Sequence, residues 1–152
     1  VITGAIFAWA GGFADDRFGP KRVIAAAVAV LALVALAVTQ VDRAAVFGIA
    51  ASPESRLPDI AFYLLGATIG AAGGVLQSAS RTMMVRQAIP GRMTEGFGLY
   101  ALAGKATSFL APLAIGITTD LTGSQQAGIL PLVGLFLLGL VLLYWVRAEG
   151  ET

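Results

Sequence analysis

Lys105 is the one charge in the otherwise uncharged stretch 97–119. Ala101, Lys105, Ser108 and Pro112 recur at i, i+4, i+7 and i+11, so a helix gathers them into one small and polar stripe. Lys105 lies about eight residues from the start of that stretch, roughly 12 Å deep at ~1.5 Å rise per residue, where snorkelling to an interface is difficult. A cation at such depth needs a partner or a wet cavity and is a functional-site candidate. The next acid along the helix, Asp120, is fifteen residues on, about 22 Å of rise. That leaves backbone carbonyls, water, an anionic ligand or a residue outside this chain. The alternative to a ligand site is an ion pair with an outside acid that only fixes packing.

Gly66, Gly70 and Gly74 stand at i, i+4 and i+8, and small residues at this spacing let two helices approach closely in lipid. Gln77 and Arg81 continue down the same face. Two readings stay open: a packing seam ending in an anchoring cation, or Gln77 and Arg81 facing a water-filled path. Asp15-Asp16 could suggest metal-assisted phosphotransfer, but adjacent helical residues point about 100° apart and the further acids such a site needs are absent. Gly123-Ser124 offers no serine-protease chemistry, because the chain has no His. It also has no Cys, which removes disulfides and zinc sites of the usual type. No catalytic residue, metal or cofactor is expected.

These residues must be held by membrane helices. Of 152 residues, 57% are hydrophobic and 12% charged, against about 25% charged in a typical soluble domain; mean hydropathy is +0.83. The net charge of +1 gives no footprint for nucleic acid. A span needs about 20 mostly apolar residues, and the stretches 23–41, 60–78, 97–119 and 127–146 qualify. The last ends in Tyr144-Trp145, an aromatic pair suited to a membrane interface. The stretch 1–14 is apolar but short and reads as the tail of a longer helix. The expected fold is therefore all-α and integral to the membrane, with about five spans, the first truncated, and no alternation of the kind a β-barrel requires.

Arg17, Lys21, Arg22, Arg81, Arg86, Arg92 and Arg147 fall in alternate connections, with Arg43 and Arg56 opposite. The positive-inside rule puts the richer side, and the C-terminus at Thr152, in the cytoplasm. The opposite connection, 42–59, with Pro53 and Pro58, reads as an ordinary exposed loop. Pro112 is expected to bend its helix, and Gly96, Gly98 and Gly104 to loosen the first half. Glu95 suits a helix N-terminus, with a charge lock to the Arg cluster as the second reading.

The connection Gly12-Phe13-Ala14-Asp15-Asp16-Arg17-Phe18-Gly19-Pro20-Lys21-Arg22 resembles the loop signature of the major facilitator superfamily. Gly12, Asp16, Arg17, Gly19, Lys21 and Arg22 fill its places, while Pro20 displaces the basic pair by one position. Gln77-Ser78-Ala79-Ser80-Arg81, Ile89-Pro90-Gly91-Arg92, Glu95-Gly96-Phe97-Gly98-Leu99-Tyr100, Gly104-Lys105-Ala106-Thr107-Ser108-Phe109 and Thr122-Gly123-Ser124-Gln125 are similar to the vacuolar-effluxer branch. The resemblance implies helices eight to twelve of a twelve-helix transporter, with an N-terminal half outside this chain. It implies secondary active transport of a small solute, amino-acid efflux among the possibilities, by alternating access. Asp16 and its loop would then form a gate, and Gln77, Arg81, Lys105 and Ser108 would flank the substrate path. The expected partners are the lipid bilayer, a small-molecule substrate and the other half of the chain, and the expected site is a bacterial plasma membrane. A complete, small homo-oligomeric membrane protein joined by the glycine stripe is the alternative, and a membrane enzyme is a further one.

Overall fold

The computed structural model describes residues 2–42, 45–50, 52, 54–89 and 91–147. The first residue of the stretch 1–14 and Arg43, Pro53, Pro90 and Thr152, named above, lie outside the described residues. Helix α1 spans Ile2–Phe18 and α2 Pro20–Val38. A small antiparallel hairpin follows, β1 Ala45–Val46 with β2 Ile49–Ala50. Then come α3 Leu57–Gln87, α4 Met93–Thr107, α5 Leu110–Thr122 and α6 Gln125–Trp145. Four helical stretches are long and apolar enough to cross a membrane: α2, α3, α4 with α5 taken together, and α6. The protein is a multi-pass helical membrane protein. The hairpin lies in the connection expected to be a plain loop; Phe47 and Gly48 at its tip have φ of 51° and 80°, the sign a tight two-residue turn demands.

Local chemistry sets the helix ends. Gly19 takes φ 80°, ψ 146°, a conformation open essentially to glycine, and Pro20 at the next position has the preset φ that begins a helix. The departure of Pro20 from the loop signature thus marks the first residue of α2. Helix α3 continues well past its apolar run, because nothing from Ala79 to Gln87 breaks a helix. It stops three residues before Pro90, whose ring disfavours helical backbone just ahead of it. Gly123 closes α5 in the left-handed region at φ 66°, and the Ser124 hydroxyl caps α6 by accepting from the Ala127 amide at 3.3 Å.

The span carrying Lys105 is interrupted. Helix α4 ends at Thr107 and α5 begins at Leu110. Pro112 has no N–H for the carbonyl of Ser108, four residues earlier, and its ring crowds that carbonyl. The Lys105 carbonyl is taken instead by Ser108, from its amide at 3.3 Å and its hydroxyl at 2.8 Å. The expected bend therefore falls one turn before the proline that causes it.

Helices α1 and α2 both pack on α3, while α6 packs on α2 and α5. The α1–α3 crossing is close at Gly4, Gly70 and Gly74: a methyl on Gly74 would overlap the Gly4 backbone. Gly11 lies against Val75 on the same seam. A second close approach joins α5 and α6, where a methyl on buried Gly128 would overlap the Thr119 hydroxyl. The exposed apolar side chains elsewhere, such as Leu99, Leu102, Leu121 and Leu138, are what a bilayer or further protein would cover.

Candidate functional site

The signature connection joins α1 to α2 at one end of the bundle, and three other helix ends meet it there. Lys21 Nζ donates to the carbonyls of Tyr144 at 3.1 Å and Val146 at 2.6 Å, at the end of α6. Gln87 Nε2, the last residue of α3, donates to the Arg147 carbonyl at 2.7 Å. Helix α4 starts at this end too, since Gly96 faces Met84 and Ala88. Arg92 pairs with Glu95 at 2.5 Å, across the first turn of α4. Glu95 is thus engaged at its own helix start, with Arg92 as its partner in the local charge pair.

Within the signature, Asp16, Arg17 and Arg22 are exposed. The Arg17 guanidinium lies 5.8 Å from the centre of the Phe18 ring. Gly12 lines a shallow pocket of about 270 Å³ with Trp9, Phe13, Asp15, Asp16 and Thr82. Arg22 borders a larger apolar groove of about 750 Å³ between α1, α2 and α3, walled by Phe7, Phe18, Val30, Leu64 and Val75.

Asp15, the neighbour of the signature acid, is the buried one, at 1% exposure. Successive helical residues diverge by about 100°, so Asp15 faces α3 while Asp16 faces out. Neither Asp15 oxygen accepts a hydrogen bond. The Thr82 hydroxyl, which acts on Asp15, also lies 3.3 Å from the Ser78 carbonyl, to which it donates. Asp15 lies in the last turn of α1, beyond the apolar stretch 1–14. Burial pushes its carboxyl pKa above the ordinary 3.8; Thr82 and the positive charge of Arg86 oppose the rise, and Asp16 adds to it. Sequence reasoning weighed Asp15 only as half of a metal pair and did not single out Thr82 or Arg86. The signal available was position: residues 15, 82 and 86 share one end of two helices that pack together.

The other candidates lie away from this end. Gln77, Arg81, Lys105 and Ser108 are all exposed. Gln77 and Arg81 sit on α3, and one turn away the Ser80 hydroxyl meets the Tyr100 hydroxyl of α4 at 2.8 Å. That contact ties α4 to α3 beside the Gln77/Arg81 face. Lys105 occupies the last turn of α4, where the free carbonyls of a helix C-terminus favour a cation. The window that carries it has no buried residue among those described. Gly70 and Gly74 face Gly4, whereas Gly66 is exposed and a methyl there would meet nothing within 4 Å. Among the described residues no group of His, Cys, Asp and Glu is placed to hold a metal ion.

Comparison with known proteins follows the same lines. The chain is 32% identical over 91 residues to the uncharacterized MFS-type transporter YxiO of Bacillus subtilis, covering 60% of this chain and 21% of that protein. It is 32% identical over 87 residues to Autophagy-related protein 22 of Cryptococcus neoformans, 57% of this chain and 16% of that one. Over 85 residues it is 34% identical to Autophagy-related protein 22-2 of Emericella nidulans, 56% of this chain and 14% of that one. The chain thus spans about a fifth or less of the length of these relatives. No solved structure matches it. A transporter family, rather than an enzyme family, accounts for the sequence. The family profile described as vacuole effluxer Atg22-like matches residues 1–151, and the chain belongs to that family.

Proposed function

We propose that this chain forms part of a secondary transporter that moves a small solute across a membrane by alternating access of two helical halves. The observation that carries the reading is Lys105, a cation in the last turn of a helix interrupted within an apolar span. Helix interruptions at membrane depth are tolerated where the freed backbone lines a cavity or meets protein, and discontinuous helices are a recurring way to build solute sites. An ammonium there suits a carboxylate or another anionic group, which is compatible with amino acids as substrates. Gln77, Arg81 and Ser108 flank the path in this reading, and the Gly12–Arg22 connection works as the gate between access states. The remaining segments of the full-length protein supply the facing half. The basic end of the bundle, with the C-terminus, faces the cytoplasm by the positive-inside rule, in a bacterial plasma membrane.

A homo-oligomer joined through the glycine stripe is disfavoured, because α1 already covers Gly70 and Gly74. The transport reading is tested by reconstituting the full-length protein into vesicles and following a panel of radiolabelled amino acids. Wild-type protein should move at least one of them above empty vesicles, and Lys105→Ala should remove most of that flux with insertion unchanged. Equal flux in the variant would return Lys105 to a packing role.

A further inference from the structure

Asp15 is a buried carboxyl whose surroundings offset only part of the cost of burying its charge. Both oxygens are buried and accept no hydrogen bond. The groups around it can be taken element by element. On α1 its neighbours are the exposed carboxylate of Asp16 and Arg17, whose guanidinium lies by Phe18. On α3 they are Thr82, whose hydroxyl lies 3.3 Å from the Ser78 carbonyl and only partly offsets the burial of Asp15, and Arg86, which favours the charged form through space without forming an ion pair. On α2, Lys21 is spent on the end of α6 and Arg22 borders the apolar groove. An ionised carboxylate removed from water without a partner is strongly disfavoured, and the usual outcome is that it takes up a proton.

The closed seam fixes this state of affairs. Gly11 packs on Val75 one turn before Asp15, and Gly4 meets Gly70 and Gly74 further along. The pairing of α1 with α3 is therefore too tight at these points for a cation to slip between them. The shallow pocket lined by Asp15, Asp16 and Thr82 brings water close to the carboxyl while both its oxygens stay buried, which leaves a short route for a proton.

We propose that Asp15 is a proton-binding site, neutral while α1 lies against α3 as in this structure and ionised only when a cation or water reaches it. The proton comes from water, forms an O–H bond on the carboxyl, and returns to water when the seam loosens. Arg86, the cation that already acts on the carboxyl through space, is the group placed to balance the charge. The inference concerns the proton alone and stands apart from which solute is carried.

Dicyclohexylcarbodiimide reads the site directly, since it modifies protonated carboxyls in apolar surroundings. The full-length protein in detergent would be treated across pH 5 to 8 and the peptide containing Asp15 and Asp16 analysed by mass spectrometry. The expected result is an adduct on Asp15 and none on Asp16, declining as pH rises, with a midpoint above the ordinary aspartate range. Asp15→Asn should lose the adduct. Arg86→Gln should move the midpoint upward, because the opposing positive charge is gone. A peptide that labels equally at both acids, an unlabelled Asp15, or a midpoint unmoved by Arg86→Gln would each overturn the proposal. None of these readouts requires transport, so failure here leaves the transport reading standing, and loss of transport in vesicles leaves this site standing.

Discussion

The Lys21 ammonium closes the C-terminal end of α6, donating to the Val146 carbonyl at 2.6 Å and the Tyr144 carbonyl at 3.1 Å. The last carbonyls of a helix have no partner within it, and the negative end of the helix dipole favours a cation. One side chain from the signature connection thereby joins residues 125 positions apart in sequence. The basic residues of that connection need not act alike: Lys21 is structural here, whereas Arg17 and Arg22 are exposed and available.

Lys21→Ala should lower the stability of the full-length protein by about 1–2 kcal/mol, since hydrogen bonds from a charged donor are worth about 1.5–3 kcal/mol and solvent screens these exposed ones. Lys21→Arg should keep most of it. Thermal unfolding in detergent checks both, and an unchanged alanine variant would remove the capping role.

The glycines of α3 should separate sharply. Gly74→Ala places a methyl into the Gly4 backbone, and such overpacking costs about 1–3 kcal/mol. Gly66→Ala meets open space and should be neutral or stabilising by up to about 1 kcal/mol through helix propensity. Comparing the two melting temperatures decides whether the seam lies where it is described.

The buried Asp15 predicts a pH dependence of definite sign. Its folded pKa is raised above the unfolded value, so at pH values between the two the folded state binds more protons than the unfolded state. Stability is then full below the unfolded pKa of about 3.8 and falls as pH rises through the folded one. Asp15→Asn should flatten that fall and melt above wild type at neutral pH. A wild-type profile as flat as the variant's would contradict the burial of an unpaired carboxyl.

Much of the architecture was legible because membrane spans announce themselves by length and apolarity. Val23 to Val38 could be little else. The interruption near Lys105 was legible through Pro112, though its position at Ser108 and Phe109 follows from the carbonyl that the proline fails to satisfy. What the sequence did not reveal was rotational: which of Asp15 and Asp16 faces inward, and that Gly66 falls off the seam that Gly70 and Gly74 form. Those depend on where α1 crosses α3, set by Gly4 and Gly11, a pairing that no periodicity within a single helix encodes. The hairpin at Ala45–Ala50 was hidden for another reason, as its strands are two residues each and carry no alternation to read.

A solute path at Lys105 requires this side chain to face water rather than lipid. This chain has no Cys, so a single cysteine within it can be read cleanly once any cysteines elsewhere in the full-length protein are replaced. Lys105→Cys should react with a charged, membrane-impermeant methanethiosulfonate reagent, whereas Leu102→Cys, exposed on the same apolar helix, should stay protected by lipid or protein. If the cysteine at position 105 is as inert as the one at 102, Lys105 does not line a solute path and the central claim is wrong.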